Sequence, residues 1–182
     1  MINMLWIFLA VVVVGIIFFY NTLVRAKQLV QEAWSGIDVQ LKRRRDLIPN
    51  LVEVTKGYAG HEKTTLEEVT RLRSVDAPPS QRQQKQAVEN DLTKALRSVF
   101  ALAEAYPNLK ANEQFLNLHK SLVDIEDELQ MARRYYNGTV RDYNIRIQSF
   151  PGNFIAGMFN FKREEFFEIE IVTDRENPAV HL

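Results

Sequence analysis

Residues 2–20 form an apolar run in which Asn3 is the only strongly polar residue and no side chain is charged at neutral pH. As an α-helix this run would be about 29 Å long, close to the ~30 Å hydrocarbon core of a bilayer. Trp6 and Tyr20 lie near its two ends, where aromatic side chains favour the membrane interfaces. A cleaved signal peptide is the alternative, but a basic segment before the run and a small-residue cleavage site after it are both missing. The pattern therefore predicts a transmembrane helix over residues 1–20.

Beyond Tyr20 the apolar positions recur at steps of three and four, which is the spacing of one face of an α-helix. This stripe runs through Leu41 as far as Tyr58. Pro49 lies inside the stripe, and its ring is expected to kink the helix or to end its first part. Gly57 and Gly60 are then expected to stop the helix.

The same spacing predicts three further helices, over residues 62–74, 80–106 and 112–150, with Ser80 as the N-cap of the second of them. The proline-rich residues 76–79 predict a linker. Two long helices joined through two shorter ones indicate an all-α fold. In it the transmembrane helix leads into an up-down-up-down antiparallel four-helix bundle with long helices, over residues 21–150.

The rest of the chain is first apolar and then acidic. Residues 151–167 are too short to span a bilayer and rich in aromatic side chains, so they are expected to lie at the membrane interface, to cap the bundle, or to dock onto a neighbouring subunit. The residues expected to contact lipid or a partner are Phe154, Ile155, Met158, Phe159 and Phe161. Residues 166–171 alternate weakly, as an edge strand or an extended peptide does, and 168–182 are expected to be an acidic, flexible tail.

Composition and charge remove several classes of function. The 182 residues include no cysteine, which excludes disulfides, thiol nucleophiles and thiolate metal sites. A formal net charge of zero argues against a nucleic-acid partner. We therefore expect neither an iron–sulfur cluster nor electrostatic binding to DNA or RNA.

The three histidines also fall outside known catalytic motifs. His61 and Glu62 begin like the helix of a zinc metalloprotease, but Thr65 stands where its second histidine is required. His119 has Leu116 at the position where a di-metal bundle needs glutamate. The sequence thus predicts no catalytic, cofactor-binding or metal-binding residue, and a protein that is not an enzyme.

Four consecutive cations, Lys42, Arg43, Arg44 and Arg45, occupy just over one helical turn. Asp38 and Asp46 flank them at offsets that permit local ion pairs. The run is either a solvated charged face or a docking patch for a carboxylate-bearing partner or an anionic lipid, for which arginine provides bidentate contacts. Either Arg44 or Arg45 must face close to the apolar stripe.

A second polar cluster, formed by Tyr136, Asn137, Tyr143 and Asn144, lies on the last long helix. Asn137 and Asn144 are seven residues apart and so share one helix face. They are expected either to form a buried polar layer that fixes the register between helices or to belong to a solvated face.

Several separated blocks resemble the LemA family: AWSGIDVQLKRRRDLIPNLV over 33–52, KGYAGHE over 56–62, ARRYYN over 132–137 and SFPGNFIAGMFNF over 149–161. The resemblance implies a bacterial inner-membrane protein with one N-terminal span and a cytoplasmic four-helix domain. It also implies a relative in the magnetosome membrane and genes that often neighbour those of membrane metallopeptidases. It brings no catalytic activity.

These features together predict a non-enzymatic, membrane-anchored helical protein that acts as an oligomeric scaffold at the inner membrane. The alternative is an adaptor or regulator of a membrane-bound protease. A third class, an enzyme that uses the tyrosine, asparagine and arginine side chains of the last long helix, is disfavoured because no pair of nucleophile and base is recognisable. Expected partners are the bilayer through residues 2–20, further copies of the chain, and a membrane metallopeptidase; no cofactor is expected. Arg25 and Lys27 follow the span and predict a single-pass protein whose soluble domain is cytoplasmic.

Overall fold

A computed structural model describes residues 2–59, 62–75 and 82–167. Within these ranges the chain is helical and has no strand, which confirms the all-α class. The helices are α1 (Ile2–Lys56), α2 (Lys63–Ser74), α3 (Arg82–Ala103), α4 (Pro107–Lys110), α5 (Glu113–Gln148) and α6 (Gly152–Met158). The up-down-up-down order of a four-helix bundle stays a prediction.

Helix α1 continues through Pro49, so the expectation that proline ends its first part is wrong. Ile48 and Leu51 are fully buried on either side of the proline. Their packing offsets the backbone hydrogen bond that proline removes, because most helix stability in proteins comes from tertiary burial. Helix α1 ends at Lys56, directly before Gly57, as the sequence predicts; Gly60 lies outside the described residues.

The boundaries of α2 and α5 agree with the sequence, whereas the region between α3 and α5 differs. Helix α3 stops at Ala103, and Pro107 begins the separate short helix α4, a position that suits proline because its missing N–H has no helical partner there. Leu109 in α4 is fully buried. Ser80, the linker 76–79 and the acidic tail 168–182 lie outside the described residues, as does most of the expected edge strand 166–171.

The chain divides into two compact units. The first unit comprises 2–40 and 127–166, and the second comprises 41–59, 62–75, 82–126 and 167. Helices α1 and α5 each contribute residues to both units. In the first unit the rings of Trp34 and Tyr136 meet edge to face, with centroids 5.3 Å apart. The fully buried side chains of this unit's core include Leu23, Val30, Ile37, Leu129, Val140 and Tyr143.

The core of the second unit joins α2 and α3 to the end of α1 and the start of α5. Its stripes follow the predicted helical spacing, which places the apolar face of each helix inward. The innermost of its residues are Ile48, Leu51, Val69, Leu92, Val99 and Leu109, with Leu66, Leu72, Phe115 and Leu122 around them.

Among the described residues, α1 is the one helix that is long and apolar enough to cross a membrane. Its apolar window is almost entirely uncovered by the rest of the protein, and the side chains from Met4 to Val14 are all exposed. An apolar surface of this size is not stable in water, so the exposure agrees with a lipid environment.

Candidate functional site

Helix α6 has two faces with different surroundings. Gly152, Ile155 and Ala156 are buried against the protein, whereas Phe154 and Met158 are each 67% exposed. The expectation that Ile155 contacts lipid or a partner therefore needs correction, because its side chain is only 6% exposed and packs inward. One face of α6 acts as a cap, and the other leaves apolar side chains at the surface.

Gly152 allows α6 to lie unusually close to the end of α5. A Cβ atom at this position would overlap the carbonyl oxygen of Arg146. Only a residue without a side chain permits such an approach of two backbone segments. Gly152 thus fixes the position of α6 against the last turn of α5.

The residues after α6 contact the end of the apolar run in α1. The ring centroid of Tyr20 lies 4.7 Å from that of Phe159 and 5.8 Å from that of Phe161. Lys27 Nζ lies 6.0 Å from the centroid of the Phe161 ring, at the outer limit of a cation–π contact. These contacts hold α6 beside the residue at which the apolar run ends.

The polar cluster of α5 binds the backbone of residues 161–166, a segment without regular secondary structure that we call the strap. Tyr143 Oη donates to the Lys162 carbonyl at 2.8 Å, and Tyr136 Oη donates to the Glu165 carbonyl at 2.9 Å. Both tyrosines are essentially fully buried. Their aromatic bodies thus contribute to the core while their hydroxyls hold the strap.

Asn144 makes two hydrogen bonds with one residue of the strap. Its Nδ2 donates to the Glu164 carbonyl at 2.8 Å, and its Oδ1 accepts from the Glu164 N–H at 3.0 Å. A side-chain amide thereby takes the place of a neighbouring strand, satisfying both backbone groups of one residue. Burial, and to a smaller extent the nearby Glu164 carboxylate, raises the pKa of the adjacent Tyr143 hydroxyl.

The structure thus contains only part of the polar layer that the sequence predicts. Tyr136, Tyr143 and Asn144 are buried, while Asn137 is half-buried. The hydrogen bonds of the three buried residues described above go to the main chain of the strap rather than to polar side chains of another helix. Periodicity places these residues on one face but carries no information about a main-chain partner.

The four cations separate into buried and exposed members. Arg44 is 1% exposed and binds the Glu89 carboxylate at 3.1 Å, the Glu126 carboxylate at 2.8 Å and the Thr93 hydroxyl at 3.0 Å. The half-buried Arg45 also pairs with Glu89. The expectation of an exposed docking patch is therefore wrong for Arg44, because its guanidinium is enclosed by acidic side chains of the same unit.

Lys42 and Arg43 are exposed, and their role in partner binding stays a prediction. The sequence interpretation missed Glu89, which is fully buried. A signal for it was present, since Glu89 precedes Leu92 by three residues and Leu96 by seven and so lies on the buried stripe of α3.

No cluster of three or more possible metal ligands occurs in the described ranges, 2–59, 62–75 and 82–167. His119 packs against aromatic rings, with its centroid 4.4 Å from that of Phe100. His61 lies outside the described residues.

Comparison with known proteins identifies similar chains. The sequence model of the LemA family matches residues 33–182. Magnetosome protein MamQ 2 and Magnetosome protein MamQ 1 of Paramagnetospirillum magneticum are each 27% identical, over 82% of this chain and 64% of the relative. Protein LemA of Metamycoplasma hominis is 27% identical, over 87% of this chain and 75% of the relative. The chain thus spans less than two thirds of the length of the magnetosome relatives that it matches.

Proposed function

This chain belongs to the LemA family, and we propose that it is a membrane-anchored, non-enzymatic scaffold that assembles into homo-oligomers at the bacterial inner membrane. Membrane association itself agrees with the exposed apolar window of α1 and with relatives that are named as magnetosome proteins. The observation that carries the proposal is the continuity of α1. One unbroken helix contains both the apolar run and part of the buried core of the first unit.

The continuity of α1 favours a structural role over a catalytic one. A span joined to its domain by a flexible linker leaves the domain free to reorient, whereas a continuous helix transmits the orientation of the anchor to the domain. Leu23, Ala26 and Val30 are buried within three turns of Tyr20, so the folded core of the first unit begins directly after the apolar run.

The proposed orientation places the soluble part in the cytoplasm. Arg25 is exposed and Lys27 is half-buried shortly after the run, and positive flanks are retained on the cytoplasmic side. Protease added to intact spheroplasts is expected to leave the soluble domain uncut, and the same protease should cut it after lysis. Digestion in intact spheroplasts would contradict the orientation.

Self-association is supported by apolar side chains left exposed on the long helices of the first unit. Met131, Tyr135 and Ile145 on α5 are each more than half exposed, as is Val39 on α1. Isolated exposed apolar residues are common, but several of them on one unit favour contact with a second copy.

The size of the full-length protein in detergent, measured by light scattering, tests the oligomer. We expect the Met131→Ser/Ile145→Ser double variant to dissociate at concentrations at which the parent protein is assembled. Val123→Ser is the matched control, because Val123 is comparably exposed on the same helix but belongs to the second unit. A parent protein that is monomeric at all concentrations would overturn the scaffold.

An adaptor for a membrane-bound protease is the second candidate, favoured by the exposed Lys42 and Arg43. These cations suit a carboxylate-bearing partner surface. If the chain is an adaptor, the parent protein should capture a membrane metallopeptidase and the Lys42→Gln/Arg43→Gln variant should not. The Lys42→Arg variant, which keeps the positive charge, should capture it as the parent protein does. Equal capture by parent and double variant would exclude a role for these two cations.

A further inference from the structure

Residues 150–159 carry a compact group of exposed apolar side chains at one end of the first unit. Phe150 is 80% exposed, Phe154 and Met158 are 67% exposed, and Phe159 is nearly half exposed. The rings of Phe150 and Phe154 contact each other with centroids 6.0 Å apart. Four large apolar residues within a single short helix and its flanks form a patch rather than scattered exposure.

The position of this patch is fixed relative to the apolar run of α1. Phe159 contacts Tyr20, which is the last residue of that run. If α1 spans the bilayer, Tyr20 lies at the boundary between acyl chains and headgroups, where tyrosine is favoured. The exposed face of α6 therefore lies close to the same boundary.

The first charged residues after this patch in the sequence are cations. Lys162 and Arg163 follow directly after Phe161 and are exposed. Lys27 lies against the Phe161 ring. The first carboxylates of the strap, Glu164 and Glu165, come only after these residues. Cations next to an apolar face are the arrangement by which interfacial helices bind anionic lipids.

We propose that α6 is a second membrane contact, whose exposed face enters the interfacial layer of an anionic bilayer beside the point at which α1 leaves it. This proposal rests on the membrane anchor described above. A bilayer is favoured over a second copy as the occupant, because the Tyr20 contact places the patch at the membrane boundary and because Lys27, Lys162 and Arg163 provide cations next to its C-terminal end. Gly152 and the strap hold α6 in this position from opposite ends.

The contact has a consequence for the orientation of the domain. A single helix in a bilayer is free to rotate about its axis and to tilt, and neighbouring anchors restrict both motions. With α6 inserted at the interface, the first unit has two points of attachment. The proposed scaffold would then present a constant face to other proteins in the plane of the membrane.

Site-directed spin labelling of the full-length protein in phosphatidylcholine–phosphatidylglycerol vesicles tests the inference. The chain has no native cysteine, so single labels at Phe154→Cys, Met158→Cys, Phe8→Cys and Gln130→Cys are unambiguous. Phe8 lies within the apolar run, and Gln130 is an exposed residue of α5. Labels at 8, 154 and 158 should collide more often with oxygen than with a water-soluble nickel complex, and the label at 130 should show the reverse.

The two proposals fail in different ways in this experiment. A label at 8 that is accessible to nickel would overturn the anchor, and with it the proposed function. In the other case the label at 8 is in lipid, but the labels at 154 and 158 are accessible to nickel like the label at 130. This result would overturn only the membrane contact by α6. Labels at 154 and 158 that are shielded from both oxygen and the nickel complex would show that protein covers the patch, which would also overturn the lipid contact.

The lipid composition tests the role of the cations. Replacing phosphatidylglycerol by phosphatidylcholine should shift the label at 154 towards nickel accessibility, and Lys162→Gln/Arg163→Gln should produce a similar shift in the anionic vesicles. The label at 8 should be unaffected in both cases. Unchanged accessibility at 154 in both cases would overturn the proposed preference for anionic lipid.

Discussion

Each unit of this protein contains a buried polar cluster, and the two clusters are of different kinds. In the first unit the neutral side chains of Tyr136, Tyr143 and Asn144 bind main-chain groups of the strap. In the second unit the charged side chains of Arg44 and Arg45 bind the charged Glu89. Removing the partner of a buried charge costs a large amount of folding free energy, whereas losing a neutral hydrogen bond costs less.

The charged cluster selects which helices come together. Arg44 belongs to α1, and its acidic partners Glu89 and Glu126 belong to α3 and α5. A different pairing or register of these helices would leave at least one charge buried without compensation. The neutral cluster instead positions a segment that has no regular secondary structure of its own. We therefore expect larger effects of substitution in the charged cluster than in the neutral one.

The largest effect is expected for Glu89→Ala. Removing the carboxylate leaves Arg44 and Arg45 without their shared partner, and breaking one side of a buried ion pair costs about 3–5 kcal/mol. Urea unfolding of the detergent-solubilised protein, followed by circular dichroism, measures the loss. The control is Asp91→Ala on the same helix, where the exposed pair with Lys94 contributes at most ~1 kcal/mol. Equal losses in the two variants would contradict the role of the charged cluster.

The next largest effect is expected for Asn144→Ala. This change leaves the N–H and carbonyl of Glu164 without their side-chain partner, at a cost of about 1–3 kcal/mol. We expect this cost to appear locally, as faster hydrogen exchange at the Glu164 amide, while the amides of α3 keep their protection. Gln130→Ala, an exposed change on the same helix, should leave exchange at Glu164 unchanged. Protection at Glu164 that survives Asn144→Ala would show that the strap is held by other contacts.

A smaller effect is expected for Tyr143→Phe, which removes one donor to the strap and costs about 0.5–1.5 kcal/mol. The change also has a signature in pH. Burial raises the pKa of Tyr143, so as pH rises above about 10 the unfolded tyrosine ionises before the folded one. Stability should therefore fall above that pH in the parent protein.

Measuring the parent protein and the variant together separates the ionisation of Tyr143 from that of other groups that ionise in the same pH range. In Tyr143→Phe the fall above about pH 10 should be shallower than in the parent protein when denaturant unfolding is measured from pH 9 to pH 11. Tyr135→Phe is the control, because Tyr135 lies on the same helix and is more than half exposed. Identical pH profiles for the parent protein and Tyr143→Phe would refute the assignment.

The smallest effect is expected for Lys42→Gln and Arg43→Gln, which change exposed positions next to the charged cluster. Surface substitutions of this kind usually alter stability by less than about 0.5 kcal/mol. Arg44→Gln, one position further along the same helix, should cost several times more because Glu89 and Glu126 lose a partner. Similar melting of all three variants would erase the distinction between buried and exposed members of the basic run.

The long helices, including the apolar start of α1, could be predicted from the sequence because they depend on repeated local patterns. The stripe of α1 and α5 extends over many turns, and each turn repeats the same signal. The alternative that Pro49 ends the first part of the helix is wrong, because burial of Ile48 and Leu51 outweighs the local rule. Helices α4 and α6 are too short for periodicity to detect.

The site could be predicted only in part. The aromatic character of residues 150–161 identified a surface of interest, but the division between the buried Ile155 and the exposed Phe154 depends on how closely α6 approaches α5. The basic run was visible, while its burial required knowledge of Glu89 on another helix. Contacts between residues far apart in sequence leave no trace in local spacing.

The way in which the strap is bound has a consequence for the evolution of this protein. Asn144 and the two tyrosines bind carbonyl and amide groups that every residue except proline provides. Lys162, Arg163 and Glu165 are exposed. Mutation can therefore exchange the charges on the strap without disturbing the fold, and relatives adapted to membranes of different composition should diverge there first. Proline should be the residue that natural variation avoids at position 164.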